Sequence, residues 1–103
     1  MDVSVNRIVD QDALLKVWLS DKELFFNQLK NRDISAFKLL YQQYAAAIYG
    51  AIIRKVSDEH VAKLLLEQTF CEVWQSFPEY NQTKSSIFTW IHQIASRKIK
   101  KTT

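Results

Sequence analysis

The stretch Ser85-Ser-Ile-Phe-Thr-Trp-Ile-His-Gln-Ile-Ala-Ser-Arg-Lys-Ile-Lys-Lys101 reads as one helix with two unlike faces. Ile87, Ile91, Ile94 and Lys98 recur at helical spacing, with Phe88, Ala95 and Ile99 beside them, so one broad side is apolar. The other side carries Thr89, His92, Gln93, Ser96, Arg97 and Lys100, which are hydrogen-bonding and cationic groups with no carboxylate among them. From Lys84 onward there are five basic residues and no acidic one. The chain has 14 Lys and Arg against 11 Asp and Glu, so residues 1–83 hold nine basic and eleven acidic side chains. The net charge of +3 is therefore a body of −2 carrying a tail of +5. A helix packed by one face and basic on the other suits a polyanion. Cations also suit a solvated helix C-terminus, and charge alone does not separate the two readings.

Working outward, 103 residues make one domain, large enough to bury about 60–70% of its unfolded surface. Apolar residues at 48% and aromatics at 13% support a packed core and argue against disorder. A single Gly and a single Pro leave too few turn residues for a sheet protein, so the composition favours helices. The lone Cys71 forms no intramolecular disulfide and fits a reducing compartment. The N-terminus, Met-Asp-Val-Ser-Val-Asn-Arg, has no basic-then-apolar signal pattern. The longest uncharged apolar run, Tyr44 to Ile53, is too short to span a bilayer. These features lead us to expect a cytoplasmic, monomeric protein.

Residues 1–20 read as a leader, with a short helix expected over Asp10–Leu19. Ser20-Asp21-Lys22-Glu23 is a capping box opening a helix to about Lys30 that buries Leu24, Phe25 and Leu29. Asp33 caps a longer helix running to Val56 through Phe37, Leu40, Tyr41, Tyr44, Ile48 and Ile52. Gly50 in its middle costs about 1 kcal/mol against Ala, which suggests close approach of a neighbouring helix. Ser57-Asp58 caps a third helix over Glu59–Ser76, and Pro78, by biasing Phe77 away from helical geometry, helps to end it. A polar linker with aromatic residues, Phe77 to Lys84, leads into the basic helix. The expected fold is all-α, a compact bundle of four main helices with a possible short extra one at the N-terminus.

The chemistry excluded is as informative. One Gly rules out a P-loop or a dinucleotide fingerprint, which need several. His60 and His92 are isolated, and no Cys or His pair has metal-ligand spacing. Cys71 has no evident His partner. No catalytic, metal or cofactor site is expected. The chain reads as a binding module.

Ala62-Lys-Leu-Leu-Leu-Glu-Gln-Thr-Phe-Cys-Glu-Val-Trp74 resembles the Ala-Glu-Asp-Leu-Val-Gln-Glu-Val-Phe-Leu-x-Leu-Trp run of region 2 in extracytoplasmic-function (ECF) sigma factors of the sigma-70 family. Asp33-Ile-Ser-Ala-Phe-Lys-Leu-Leu-Tyr-Gln-Gln-Tyr44 is similar to that family's Asp-x-x-Ala-Phe-x-x-Leu-Tyr-x-x-Tyr. Phe88-Thr-Trp-Ile-His-Gln-Ile-Ala95 resembles its Phe-x-x-Trp-Leu-x-x-Ile-Ala, with one register step at Phe88. Primary sigma factors have a similar Thr-Trp-Trp-Ile-Arg-Gln-Ala-Ile-Thr-Arg segment, matched here at Gln93, Ser96 and Arg97. Each block alone is mostly core pattern. Together, in order over residues 21–101, they are specific.

The resemblance implies a helical domain that grips the clamp helices of the largest RNA polymerase subunit and recognises and opens the promoter −10 element. Carried over, polymerase binding falls on Leu64, Glu67, Gln68, Cys71 and Gln75, a stripe beside the core stripe of Leu66, Phe70 and Val73. Leu64 stands where the family usually has Asp, and Glu67-Gln68 inverts its Gln-Glu order. An outward Leu64 is either an apolar anchor for a partner or packs on the N-terminal extension. In the linker, Tyr80 would stack on a flipped base of the non-template strand, while Asn81, Gln82 and Thr83 would read base edges; the other reading is a surface loop whose Phe77 and Tyr80 cover the core. On the last helix, Gln93, Ser96 and Arg97 would meet the upstream end of the element, and Trp90 would help hold melted DNA. Lys84, Lys98, Lys100 and Lys101 would contact phosphates and set position rather than sequence. The family usually has Asn near Arg97, so sequence preference is expected to differ.

The family's second helical domain, which reads the −35 element, is not within these residues. The expectation is a piece of a longer protein, with residues 102–103 beginning a linker. Two rival readings remain. A helix-turn-helix needs a three- or four-residue turn before its recognition helix, and the roughly eight-residue linker before Ser85 argues against one. The other rival is a helical protein-interaction module, held by an anti-sigma factor or another regulator and never touching DNA.

Overall fold

The computed structural model describes residues 23–102. The expected leader, the helix over Asp10–Leu19 and the first three residues of the capping box lie outside that range. Among the described residues the fold is all-α, with no strand. Helical residues 23–30 (α1) turn through Asn31 and Arg32 into α2, Ile34–Val56. A two-residue turn leads to α3, Glu59–Ser76, followed by a 3-10 turn, Phe77–Glu79, and α4, Ile87–Thr102.

Local chemistry sets most of these boundaries. The Asp33 carboxylate accepts from the N–H of Ala36, and Asp58 does the same for Val61, so each supplies one orphan donor of a first helical turn. Ser57 is not part of the α3 cap. It ends α2 at φ 72°, in the left-handed region, with its N–H on the carbonyl of Ile53. The Ser86 hydroxyl accepts from the N–H of Thr89 at 3.2 Å and serves the first turn of α4.

The α2 and α3 helices form an antiparallel hairpin: Phe37 meets Trp74 at a ring distance of 5.2 Å, and Tyr41 one turn on meets Phe70 at 4.9 Å. The α4 helix packs on both. Leu40, Ile48 and Ile52 from α2, Ala62, Leu65 and Val73 from α3, and Ile91, Ile94 and Ala95 from α4 fill the space between them. Thr69 is fully buried among these apolar groups, its hydroxyl satisfied by the carbonyl of Leu65 at 2.7 Å.

Four sequence expectations are corrected here. Leu24 is 55% exposed; Phe26 is the α1 ring that packs on Phe77 and Tyr80. The buried face of α3 runs through Ala62, Leu65, Thr69, Phe70 and Val73, so Phe70 and Val73 are core as expected and Leu66 is only half-buried on the flank. Phe77 keeps helical geometry (φ −57°, ψ −36°) despite the following proline. Pro78 sits in the first positions of the 3-10 turn, where its missing N–H leaves no bond unmade. Gly50 meets no close helix, since a Cβ built there finds nothing within 4 Å. Gly50→Ala should therefore raise stability by about 1 kcal/mol, seen as a gain of about 4–8 °C in thermal midpoint. An unchanged or lower midpoint would mean the helix needs the glycine.

Candidate functional site

Two surfaces emerge from this frame. The first is a groove of about 910 Å³ along the α2–α3 hairpin. Its floor is aromatic, from Phe37, Tyr41 and Tyr49 on α2 and Phe70 and Trp74 on α3. Three residues of the expected polymerase stripe, Glu67, Cys71 and Gln75, line it. The other two, Leu64 and Gln68, are exposed further round α3, with Leu64 52% accessible. All five thus lie on one outward strip, as the helical spacing implied. The sequence gives no sign of this floor, because Phe37 and Tyr41 recur at the same helical spacing as the core residue Leu40; Tyr41 is 40% exposed. The Arg32 guanidinium donates to the backbone carbonyl of Gln75 at 2.9 Å and fixes the α1–α2 turn at one end of the groove.

The second surface is the outer side of α4 with the loop before it. Gln93, Lys100 and Lys101 are exposed there, and Ser96 is half-buried. Asn81, Gln82, Thr83 and Lys84 are exposed in the loop. The Asn81 side-chain amide oxygen, Oδ1, accepts from both the N–H (2.9 Å) and the hydroxyl (2.6 Å) of Thr83, an Asx-type turn that holds the loop in shape.

Tyr80 is placed otherwise than a base-stacking ring requires. It is 6% exposed, and its hydroxyl donates to the carbonyl of Ser85 at 2.8 Å. Its ring lies 5.0 Å from Trp90 and 5.4 Å from Phe77. Burial, and then the neighbouring Tyr44, push its phenol pKa up. A base could reach this ring only by displacing its neighbours. Trp90 is half-buried in the same cluster, edge-on to Phe77 at 5.7 Å. The register step in the last block resolves with Ile87 in the core and Phe88 37% exposed, resting on Tyr44 and His92.

The cations nearest the body are already engaged. Glu72 of α3 takes Lys98 Nζ on Oε1 at 2.8 Å and Arg97 Nη2 on Oε2 at 3.2 Å. The Lys98 hydrogen bond holds this carboxyl below the usual carboxylate range; partial burial opposes it, and the two positive charges assist. Because the folded pKa is depressed, the stabilisation is present above the unfolded value and fades as pH falls through the folded one. With the Glu72 side chain 30% exposed, solvent screening keeps it near or below about 1 kcal/mol. No carboxylate of α4 signalled this arrangement, since its partner is 25 residues away along the chain.

Among the described residues there is no cluster of potential metal ligands, and no helix is long and apolar enough to cross a membrane.

With this geometry in place, comparison with known proteins is informative. The chain is 25% identical over 88 residues to the ECF RNA polymerase sigma factor SigK of Mycobacterium sp. (strain KMS), covering 85% of this chain and 46% of that protein. It is 25% identical over 91 residues to SigK of Mycolicibacterium vanbaalenii, covering 88% and 46%. With SigK of Mycobacterium tuberculosis (strain H37Ra) it shares 24% over 79 residues, covering 77% and 42%. The chain spans less than half the length of these curated relatives. No protein-family model matches it, and no solved structure does. The similarities support a relationship to sigma factors.

Proposed function

We propose that residues 21–101 are the region 2-like module of an ECF-type sigma factor, acting in transcription initiation. The observation that carries this reading is similarity to ECF sigma factors across at least three quarters of the chain. The outward strip of α3 accords with it. In this reading Leu64, Glu67, Gln68, Cys71 and Gln75, with the aromatic groove beside them, dock on the clamp helices of core RNA polymerase. The polar side of α4 and the 81–84 loop face the non-template strand of the −10 element, recognising and melting it. Gln93, Gln82 and the Asn81 amide discriminate base edges, while Lys84, Lys100 and Lys101 meet phosphates. Trp90 backs the aromatic cluster beneath the loop. An anti-sigma factor would compete for the same α3 strip.

The α2–α3 groove also favours a second reading, a protein-interaction module that never touches DNA, because an aromatic floor with a polar rim is what a protein partner uses. Titrating the chain with core polymerase, and then with a single-stranded −10 oligonucleotide at several salt concentrations, separates the two. Capture of polymerase without salt-dependent DNA binding favours the second; failure of both ends the sigma assignment. Within the first reading, neutralising Lys100 and Lys101 together should flatten the dependence of log K on log salt by about 1–2 units. Gln93→Ala should instead change preference among −10-like sequences and leave the slope nearly intact. Equal effects of both on slope and preference would overturn this division of roles.

A further inference from the structure

Glu72 borders the outer strip of α3, one turn from Gln68 and Gln75, but has been given no part in either surface. It faces away from the aromatic floor of the groove, at right angles or more to Phe70 and Trp74 around the helix. Its carboxylate points at α4, where it holds two consecutive cations, one on each oxygen. Lys98 is largely covered in this pairing, at 23% side-chain exposure, whereas Arg97 remains 60% exposed with only one of its five N–H donors directed at Glu72. The pair of cations therefore offers a polyanion one net positive charge instead of two.

We propose that Glu72 is a built-in competitor for the polyanion: a nucleic-acid phosphate engages Arg97 and Lys98 by displacing the carboxylate that holds them. The proposal rests on reading α4 as a DNA-facing helix, and it deepens that reading by naming a residue that limits the affinity. Two features favour displacement over a fixed scaffold. A carboxylate and a phosphate present the same acceptor geometry to a guanidinium, so the exchange conserves hydrogen bonds. The pair also lies at the surface, where each ion pair is weak and screened and so can be exchanged at little cost. The exchange turns binding into a contest between two anions. Contact with weakly charged surfaces is disfavoured, and only a dense run of phosphates wins.

The test uses the full chain, with a fluorescent oligothymidylate as a sequence-neutral probe. Glu72→Gln keeps the shape and one acceptor oxygen, turns the other into an NH2 donor and removes the charge. It should bind roughly fivefold tighter at low salt, the factor a unit charge gives at about 4 Å in high dielectric. Its salt slope should stay close to that of the wild type, because the same phosphates meet Arg97 and Lys98 in both complexes. Glu23→Gln makes the same change in net charge on α1 and should match the wild type. A second readout needs no variant: saturating oligothymidylate should raise the pKa of the Glu72 carboxyl toward its ordinary value, followed by carboxyl-carbon NMR. Glu72→Gln binding equally or more weakly, a carboxyl pKa that stays depressed in the complex, or no binding by either protein would overturn the proposal. Loss of polymerase capture with these DNA results intact would instead sink the sigma reading alone.

Discussion

Phe77→Ala should cost about 3–5 kcal/mol and lower the thermal midpoint by about 12 °C or more. The site explains the size. Phe77 is 1% exposed, and its ring touches Phe26 of α1 (6.2 Å), Tyr80 (5.4 Å) and Trp90 of α4 (5.7 Å). Truncation leaves a void among three aromatic rings on three different segments, which cannot all collapse into it without breaking the hydrogen bond from Tyr80 to Ser85. Phe77→Leu, which fills most of that volume, should cost less than about 1.5 kcal/mol. Circular dichroism melts of both variants decide it. If Phe77→Ala melts within a few degrees of the wild type, the cluster is not what joins α1 and α4. Because the 81–84 loop hangs from this cluster, the same variant should also lose the DNA discrimination proposed for that loop before it loses helix content.

The contrast between what the sequence disclosed and what it hid follows the range of the interactions. The Asp33 and Asp58 caps, and with them the starts of α2 and α3, are legible because they depend on contacts three residues apart. So was the amphipathic register of α4, where Ile87, Ile91, Ile94 and Ala95 are all buried. The linker's composition leaves open whether Tyr80 stacks on a base or covers the core; Tyr80 folds inward because Trp90 and Phe26 arrive from elsewhere in the chain. Glu72 carried no signal at all. Its position in α3 looked like any half-exposed carboxylate until α4 packed across it. Gly50 misled in the opposite sense: the rule that a mid-helix glycine marks a close approach is statistical, and here the space beside it is open.

Replacing Glu67 and Gln68 together with Ala should weaken capture of core RNA polymerase on the order of tenfold while leaving the melting temperature within a degree or two. The stability half follows from exposure, since both side chains face solvent and neither makes a described hydrogen bond that α3 would lose. The binding half follows from chemistry: losing a hydrogen bond to a charged group costs about 1.5–3 kcal/mol, and each 1.4 kcal/mol is tenfold in affinity. Glu67 borders the groove and Gln68 lies outside it, so the single variants carry separate information. A partner seated in the aromatic groove would feel Glu67→Ala and Cys71→Arg strongly and Gln68→Ala hardly at all. A partner lying across the outer strip would feel Gln68→Ala and Leu64→Asp as well. Surface-plasmon titration of the four variants against core polymerase distinguishes the two seats. Undiminished capture by the Glu67 and Gln68 double variant, with its helix content intact, would move the grip off α3 altogether.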